Sequence, residues 1–376
     1  MIQDGRDARY VPTGHLVFVR GGTLFAAPFH LSQLALAGAE VPVIEGISVN
    51  GPPVGEYAFS DSGLLVYMEG FAGGSERKTT LYWTDGRGQS EALSDGQFWG
   101  TGRLSPDGRR VVNSISSTAG TRDASTEIWV FDVERRTRTR LTFDGQNANP
   151  IWSPDGRTIT YGGSPSGKTG LYRVAADGSS RPELLFATSS FPTPFSWSPD
   201  GKTLLYSQAD SGKPSRIWVL PVPGSAAGKP APLHDATVYE SDAEFSPDGR
   251  WIAYVSVESG QMEIYVQPFP GPGAKTRVST NGGGSSRWAR SGREIFYRGA
   301  SGDGLMAVDV QTAPALHLGL PRELTKTRFG TTWDPAPDGK RFLVEQNAFL
   351  AADSSGRRMV GVNDWFEELK RRVPVK

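Results

Sequence analysis

Residues 152–164 read WSPDGRTITYGGS, and the phrase returns as LSPDGRRVVNSIS from Leu104, WSPDGKTLLYSQA from Trp197 and FSPDGRWIAYVSV from Phe245. Each copy sets a large apolar residue ahead of Ser-Pro-Asp-Gly and an alternating apolar run behind it. Proline has no N–H and a fixed φ, so it suits the second position of a tight turn and not the middle of a strand. Aspartate accepts hydrogen bonds from nearby backbone N–H groups, and glycine takes the positive φ that reverses the chain. The run that follows, as in Ile159 and Tyr161 or Ile252 and Tyr254, has the two-residue period of a sheet strand. Leu104, Trp152, Trp197 and Phe245 are suited to wedging between neighbouring sheets. The phrase therefore reads as architecture.

Taking Asp107, Asp155, Asp200 and Asp248 as anchors exposes weaker copies. They are FSDSGLLVYME at Asp61, WARSGREIFYR at Ser291, PAPDGKRFLVE at Asp338 and YVPTGHLVFVR at Thr13, and successive anchors lie 43 to 48 residues apart. Each repeat adds a short aromatic or apolar strand, such as TLYW (80–83), EIWVFD (127–132), EIYVQ (263–267) or, in the last, RMVGV (358–362). Most close on a further strand, such as RTRLTFDG (138–145) or KTRVST (275–280). Four strands per repeat of this length is the sequence form of a β-propeller blade.

The predicted fold is all-β, a single β-propeller of about eight four-stranded blades over residues 1–363, or seven if the first and last repeats share a blade. A short C-terminal helix and tail follow at 364–376, with Asp364 as helix cap and Trp365, Phe366 and Leu369 docking one side on the ring. The opening MIQDG lines up with LTFDG (141–145), so the chain begins inside a repeat. Either those residues complete the last blade or the natural protein continues upstream.

Composition narrows the partners. Lysine plus arginine number 40 and aspartate plus glutamate 40, which gives no electrostatic reason to expect nucleic acid or an anionic membrane. The chain has no cysteine, so a disulfide framework and a thiolate metal site are excluded. No stretch approaches the ~20 apolar residues that span a bilayer, so no membrane insertion by this chain is expected. MIQDGRDARY lacks a basic segment followed by an apolar run, which on its own argues for the cytoplasm.

Gly162, Gly167, Lys168 and Thr169 satisfy the nucleotide-binding pattern G-x-x-x-x-G-K-[ST]. A working phosphate loop opens a helix, whereas GLYRVAADG after Thr169 is the aromatic strand of the repeat, so the match is judged accidental. His15, His30, His234 and His317 are scattered and form no metal-ligand pair. Asp144-Gly145-Gln146-Asn147 and Glu240-Ser241-Asp242 fall short of a calcium loop. No catalytic residues, metal or cofactor are expected. Recognition falls instead to the loops ahead of each turn phrase, and the candidates for ligand or partner binding are Phe98, Trp99, Asn147, Phe191, Tyr239, Glu240 and Arg287.

The W-SPDG-xxIAY-S pattern with its trailing IYV strand is similar to TolB-like propeller repeats. YVPTGHLVFVRGGTLFAAPF (10–29), SDSGLLVY (60–67), IYVQPFPGPGAKTRVSTNGG (264–283) and DWFEELKRR (364–372) go further. They resemble the C-terminal propeller of bacterial membrane-bound serine/threonine protein kinases. The resemblance implies an extracytoplasmic, monomeric sensor propeller for a protein, peptide or glycan ligand. No kinase activity is carried over, because the Gly-rich loop, HRD and DFG motifs are absent from these residues. Two alternatives remain open: a propeller hydrolase or lyase, or the accessory propeller of a peptidase, on one side, and a TolB-like protein-interaction scaffold on the other.

Overall fold

The Ser-Pro-Asp-Gly turn is closed by its serine as much as by its aspartate. In the Asp155 copy the Ser153 hydroxyl donates to Asp155 Oδ1 at 2.6 Å and accepts the Thr158 N–H at 2.9 Å. The same Asp155 oxygen accepts the Arg157 N–H at 3.0 Å. Gly156 sits at φ 67° and donates its N–H to the Ser153 carbonyl, a left-handed conformation that glycine adopts without cost. Ser198 with Asp200 and Ser246 with Asp248 repeat the 2.6 Å contact. The Ser153 hydroxyl, followed by the Arg157 N–H, holds the Asp155 carboxyl below the usual carboxylate range. The second copy needs a correction of one residue. There Ser60 Oγ lies 2.9 Å from Ser62 Oγ and the Gly63 N–H donates to the Ser60 carbonyl, so Ser62, not Asp61, holds the place of the aspartate.

A computed structural model describes residues 5–20, 23–47, 57–68, 79–85, 90–93, 102–116, 125–208, 214–222, 228–235, 237–271, 273–300, 303–328, 333–347 and 359–375. Eight antiparallel sheets lie among these residues, one for each of the eight anchors. The all-β propeller architecture stands, and the difference lies in how the sheets are grouped. Six of them, built from residues 79–347, form one compact unit, and two, with the C-terminal helix, form another.

In the larger unit the inner strands are Arg103–Leu104, Asn147–Trp152, Thr193–Trp197, Glu240–Phe245, Gly283–Trp288 and Trp333–Pro335. Each touches the next and the last touches the first, so six blades close a ring. Five blades draw their strands from one stretch of chain. The sixth is composite: Trp333–Pro335 and Arg341–Asn347 are completed by Thr79–Asp85 and Ser90–Ala92, with Arg341 opposite Asp85. Met359–Val362, which the repeat would have placed there, pairs instead with Leu65–Met68 in the smaller unit. The outer strands of the second and last repeats have thus changed partners. Both present a short apolar alternation to the same kind of edge, so local sequence does not decide between them. Pairing the two distant segments removes the open edges that a ring cannot leave unpaired. Residues 1–4, considered for that closing role, lie outside the described residues.

The large residue ahead of each turn packs as a wedge. Trp152 lies among Val112, Ile128 and Val130 of the preceding blade and Ile159 and Tyr172 of its own, and its indole N–H donates to the Arg103 carbonyl at 2.9 Å. Trp197 lies among Ile151, Leu171 and Leu204 and donates to Thr160 Oγ1 at 3.2 Å.

In the smaller unit a five-stranded sheet and a three-stranded sheet share a core of Val17, Leu24, Tyr57 and Leu65 with the helix Trp365–Arg372. Trp365 and Leu369 are buried and Phe366 packs on the same core, on the predicted side of the helix. Asp364 does occupy the N-cap position, but its backbone is left-handed and its side chain makes no capping hydrogen bond. His15 is buried, with the Thr13 hydroxyl 2.9 Å from Nδ1 and the Val373 carbonyl 2.5 Å from Nε2. A carbonyl only accepts, so Nε2 carries a proton and ties the C-terminal segment to the first sheet.

Two outcomes follow for stability. Trp152→Ala removes an inter-blade wedge and lowers unfolding free energy by about 3–5 kcal/mol, read from urea titrations. Asp155 has a lowered folded pKa, so its contribution is complete above the unfolded value of about 3.9 and is lost as pH falls through the folded one. Ser153→Ala weakens that contribution, and its deficit in urea midpoint against the wild type therefore narrows between about pH 6 and pH 3.

Candidate functional site

The inner strands do not run straight. Pairing with the second strand slips between Ala148 and Ile151, between Pro194 and Ser196, between Ser241 and Glu244, and between Gly284 and Arg287. Such bulges re-aim the residue that follows. In three of them a residue other than glycine takes a left-handed backbone, Asn149, Asp242 and Ser285, with φ between 51° and 54°. Strain of this kind costs on the order of 1–3 kcal/mol per residue and persists only where the surrounding structure holds it.

The residue two places before each turn serine, or its equivalent, marks one position in every blade. Around the ring these are Arg103, Ile151, Ser196, Glu244, Arg287 and Asp334. Five of them, all but Arg287, line a cavity of about 270 Å³ that extends to the turn prolines Pro106, Pro154, Pro199 and Pro247. Trp152, Trp197, Trp288 and Phe195 supply its apolar wall. The charged members sit on one side and hold one another. Asp334 accepts Arg103 Nε at 3.1 Å and the Leu104 N–H at 2.7 Å on Oδ2, and Arg287 Nε at 3.0 Å on Oδ1. Glu244 accepts Arg103 Nη2 at 3.5 Å and the Trp288 N–H at 3.2 Å. These bonds tie the first, fourth, fifth and sixth blades of the ring together.

Removal from water pushes the Glu244 carboxyl above its ordinary range, against the opposing pull of Arg103 and Arg287. The Arg103 guanidinium loses hydration too, but Asp334 and Glu244 outweigh that loss and hold its proton more firmly than usual. Arg290 occupies the turn position that is proline in the other five blades. It donates Nη2 to the Ser105 carbonyl at 3.1 Å, and lost hydration lowers its pKa.

The sequence candidates fall differently. Arg287 belongs to the channel network, held by Asp334. Asn147 is buried at the start of its strand and donates to the Thr126 carbonyl at 3.1 Å and the Asp144 carbonyl at 2.7 Å, which makes it a brace between strands. Glu240 is buried as well, with Oε1 2.6 Å from His234 Nε2. Phe191 and Tyr239 are exposed on loops ahead of their inner strands. Phe98 and Trp99 lie outside the described residues. Among the described candidates the structure thus brings only Arg287 into the charged network beside the cavity, because the cavity lies at the turn end of the inner strands and the chosen loops lie at the other end.

Arg103, Glu244, Arg290 and Asp334 were not found from the sequence. The signal for Arg103, Glu244 and Asp334 is the one blade position that changes from charged to apolar while its neighbours repeat, and for Arg290 it is an arginine where the other five blades carry proline. Gly162 ends in the strand Thr158–Gly163, and Thr169 precedes the strand Gly170–Ala175, with the short turn Pro165–Gly167 between. No helix opens there. A Cβ at Gly162 would lie 2.0 Å from the Pro192 carbonyl oxygen, so that glycine serves packing between blades.

Comparison with known proteins agrees with this architecture. Residues 78–222 match the family model described as the TolB beta propeller domain. An uncharacterized protein of Agrobacterium fabrum is 39% identical over 77 residues, which is 20% of this chain and 25% of that protein. The match thus spans a quarter of that relative's length. Among solved structures, a TolB-type protein from Agrobacterium tumefaciens superposes with a TM-score of 0.56 at 17% identity, covering 72% of this chain and 98% of its own. TolB from Acinetobacter baumannii gives 0.49 at 14% identity over 90% of this chain and 78% of its own. At such identity the Agrobacterium tumefaciens likeness shows the fold alone. Over the matched residues the chain resembles a TolB-type β-propeller. No helix among the described residues is long and apolar enough to cross a membrane.

Asp334 bridges two guanidiniums, so removing it takes the carboxylate from Arg287 and leaves Arg103 with Glu244 alone. Asp334→Ala lowers unfolding free energy by roughly 3–5 kcal/mol, whereas the triple replacement Arg103→Met, Arg287→Met, Asp334→Leu recovers most of the loss. Chemical denaturation of the two variants at neutral pH checks this. Glu244 has the opposite sign to the turn aspartates. Its raised folded pKa makes the ionised form a cost to folding, which is relieved as pH falls through the folded value.

Proposed function

We propose that this chain is a non-enzymatic ligand-binding propeller, the extracytoplasmic sensor portion of a receptor-type serine/threonine kinase. The observation that carries the reading is the cavity at the turn end of the six-blade channel. Its carboxylates are each committed to arginine or backbone donors on neighbouring blades, an arrangement that favours a fixed binding surface over a working acid and base. Rigid scaffolds with a concave, partly apolar site and a few oriented polar groups are built for recognition. The likeness to kinase-linked propellers supports the sensor role, and a protein, peptide or glycan remains the natural partner of the loop face that carries Phe191 and Tyr239.

A specific observation favours a second reading, that of a propeller hydrolase or lyase. Glu244 is a carboxyl with raised pKa beside Arg103, a combination that general acid chemistry uses. One experiment separates the two. Ligands that raise the melting temperature are selected from a metabolite collection, then incubated with the protein and recovered by mass spectrometry. Sensor function expects the ligand back intact, with its stabilising effect lost in Ser196→Trp, which fills the channel. Conversion of the ligand, abolished by Glu244→Gln, would establish the enzyme instead.

A further inference from the structure

Five blades place proline immediately after the turn serine or its equivalent, at Pro106, Pro154, Pro199, Pro247 and Pro337. The blade anchored at Ser291 places Arg290 there. Proline at that point stiffens the turn, and arginine gives up that benefit for a guanidinium at the rim of the cavity. Among the ring and rim positions, the guanidiniums of Arg103, Arg287 and Arg290 outnumber the carboxylates of Glu244 and Asp334 by one. The two carboxylates are occupied by Arg103, Arg287 and backbone N–H groups, while Arg290 bonds a neutral carbonyl, that of Ser105. Other charges act through space: Asp242 on Arg103, and Asp334, Asp107 and Glu244 on Arg290, with Arg110 and Arg109 offsetting Asp107.

The same blade also departs from the others at its tryptophan. The indole N–H groups of Trp152 and Trp197 reach acceptors in the preceding blade, but that of Trp288, buried in the cavity wall, has none. A buried donor without an acceptor costs about 1–3 kcal/mol. The cavity thus combines a guanidinium whose hydrogen-bond partner is a neutral carbonyl with three tryptophan side chains within about 270 Å³. That volume sits just below the usual range for small-molecule sites, about 300–1,000 Å³.

We propose that the turn-side cavity binds a small organic carboxylate with an apolar body, its carboxylate on Arg290 and its body against Trp152, Trp197 and Trp288. This rests on the binding reading above and adds the ligand's charge and shape. A guanidinium fork matches the two oxygens of a carboxylate, and a single excess charge matches a monoanion better than a phosphate dianion. Carboxylate can come from a free acid or from the end of a short peptide.

Calorimetry tests this with phenylacetate and hexanoate against phenylacetamide and hexanamide, with a Leu-Phe dipeptide carboxylate against its amide, and with inorganic phosphate. The acids are expected to bind at least about tenfold more tightly than their amides, and phosphate not to compete. Arg290→Pro, which restores the residue of the other blades and keeps the fold, is expected to cost about tenfold for the acids and nothing for the amides. Tight binding by the dipeptide alone would assign the carboxylate to a chain end, and by the free acids alone to a metabolite. Equal affinity for acid and amide, an unchanged Arg290→Pro, or no binding by any probe overturns the proposal. Those results leave the broader reading standing if neutral ligands still bind and are blocked by Pro199→Trp at the rim. Acids that bind equally well to Pro199→Trp and Ser196→Trp would instead move binding out of the cavity and overturn both.

Discussion

The larger unit depends on one strand pairing, Arg341–Asn347 against Thr79–Asp85. Every other blade is assembled from neighbouring stretches of chain and would form a sheet by itself. Only this pairing turns a row of sheets into a ring, and only a ring brings six inner strands around a common channel. The charged network then repeats the closure at the level of side chains. Asp334, on the composite blade, holds Arg103 of the first blade on one side and Arg287 of the fifth on the other. Backbone pairing at the outside and ion pairing at the centre thus fasten the same seam.

The channel inherits its chemistry from that geometry. A propeller offers each blade one inward position per level, so six residues far apart in sequence meet at one height. The bulges make the level that matters, turning Ile151, Ser196, Glu244 and Arg287 inward just before the chain reverses. The outcome is a lopsided surface, charged over four blades and uncharged over the two that carry Ile151 and Ser196. A ligand entering from the turn side meets a fixed polarity across the channel. Mutual pairing keeps the arginines and acids in place, since charges this far from water hold position only when partnered.

Much of the fold was legible because its signals are local. Pro, Asp and Gly in order set the turn, and the alternation after them set the strand. Trp152 and Trp197 announced themselves as wedges by size and spacing. The exchange of outer strands was not legible, because TLYW (80–83) and RMVGV (358–362) satisfy the same edge equally well and the choice is made by closure across the chain. Asp61 was one residue off because serine can replace the turn aspartate at Ser62. The site was legible in part. Arg287 was found through its loop, but for a reason that concerned the opposite mouth. Asn147 and Glu240 looked like recognition residues because polarity in a loop says nothing of burial, and both turn inward to brace strands. The cavity itself was hidden in the phrase that reads as architecture, whose prolines line its rim.

The composite blade also imposes an order on synthesis. Its two halves, ending at Ala92 and beginning at Trp333, flank the whole of the other five blades. A chain emerging from the ribosome at about 5–20 residues per second exposes Thr79–Asp85 early and supplies its partner only near the end. During that interval the strand is an unpaired edge, and five blades stand as an open stack with a bare sheet face at each end. The ring is therefore a structure whose last step joins its earliest and latest parts, and a protein truncated before Arg341 would carry the open stack permanently.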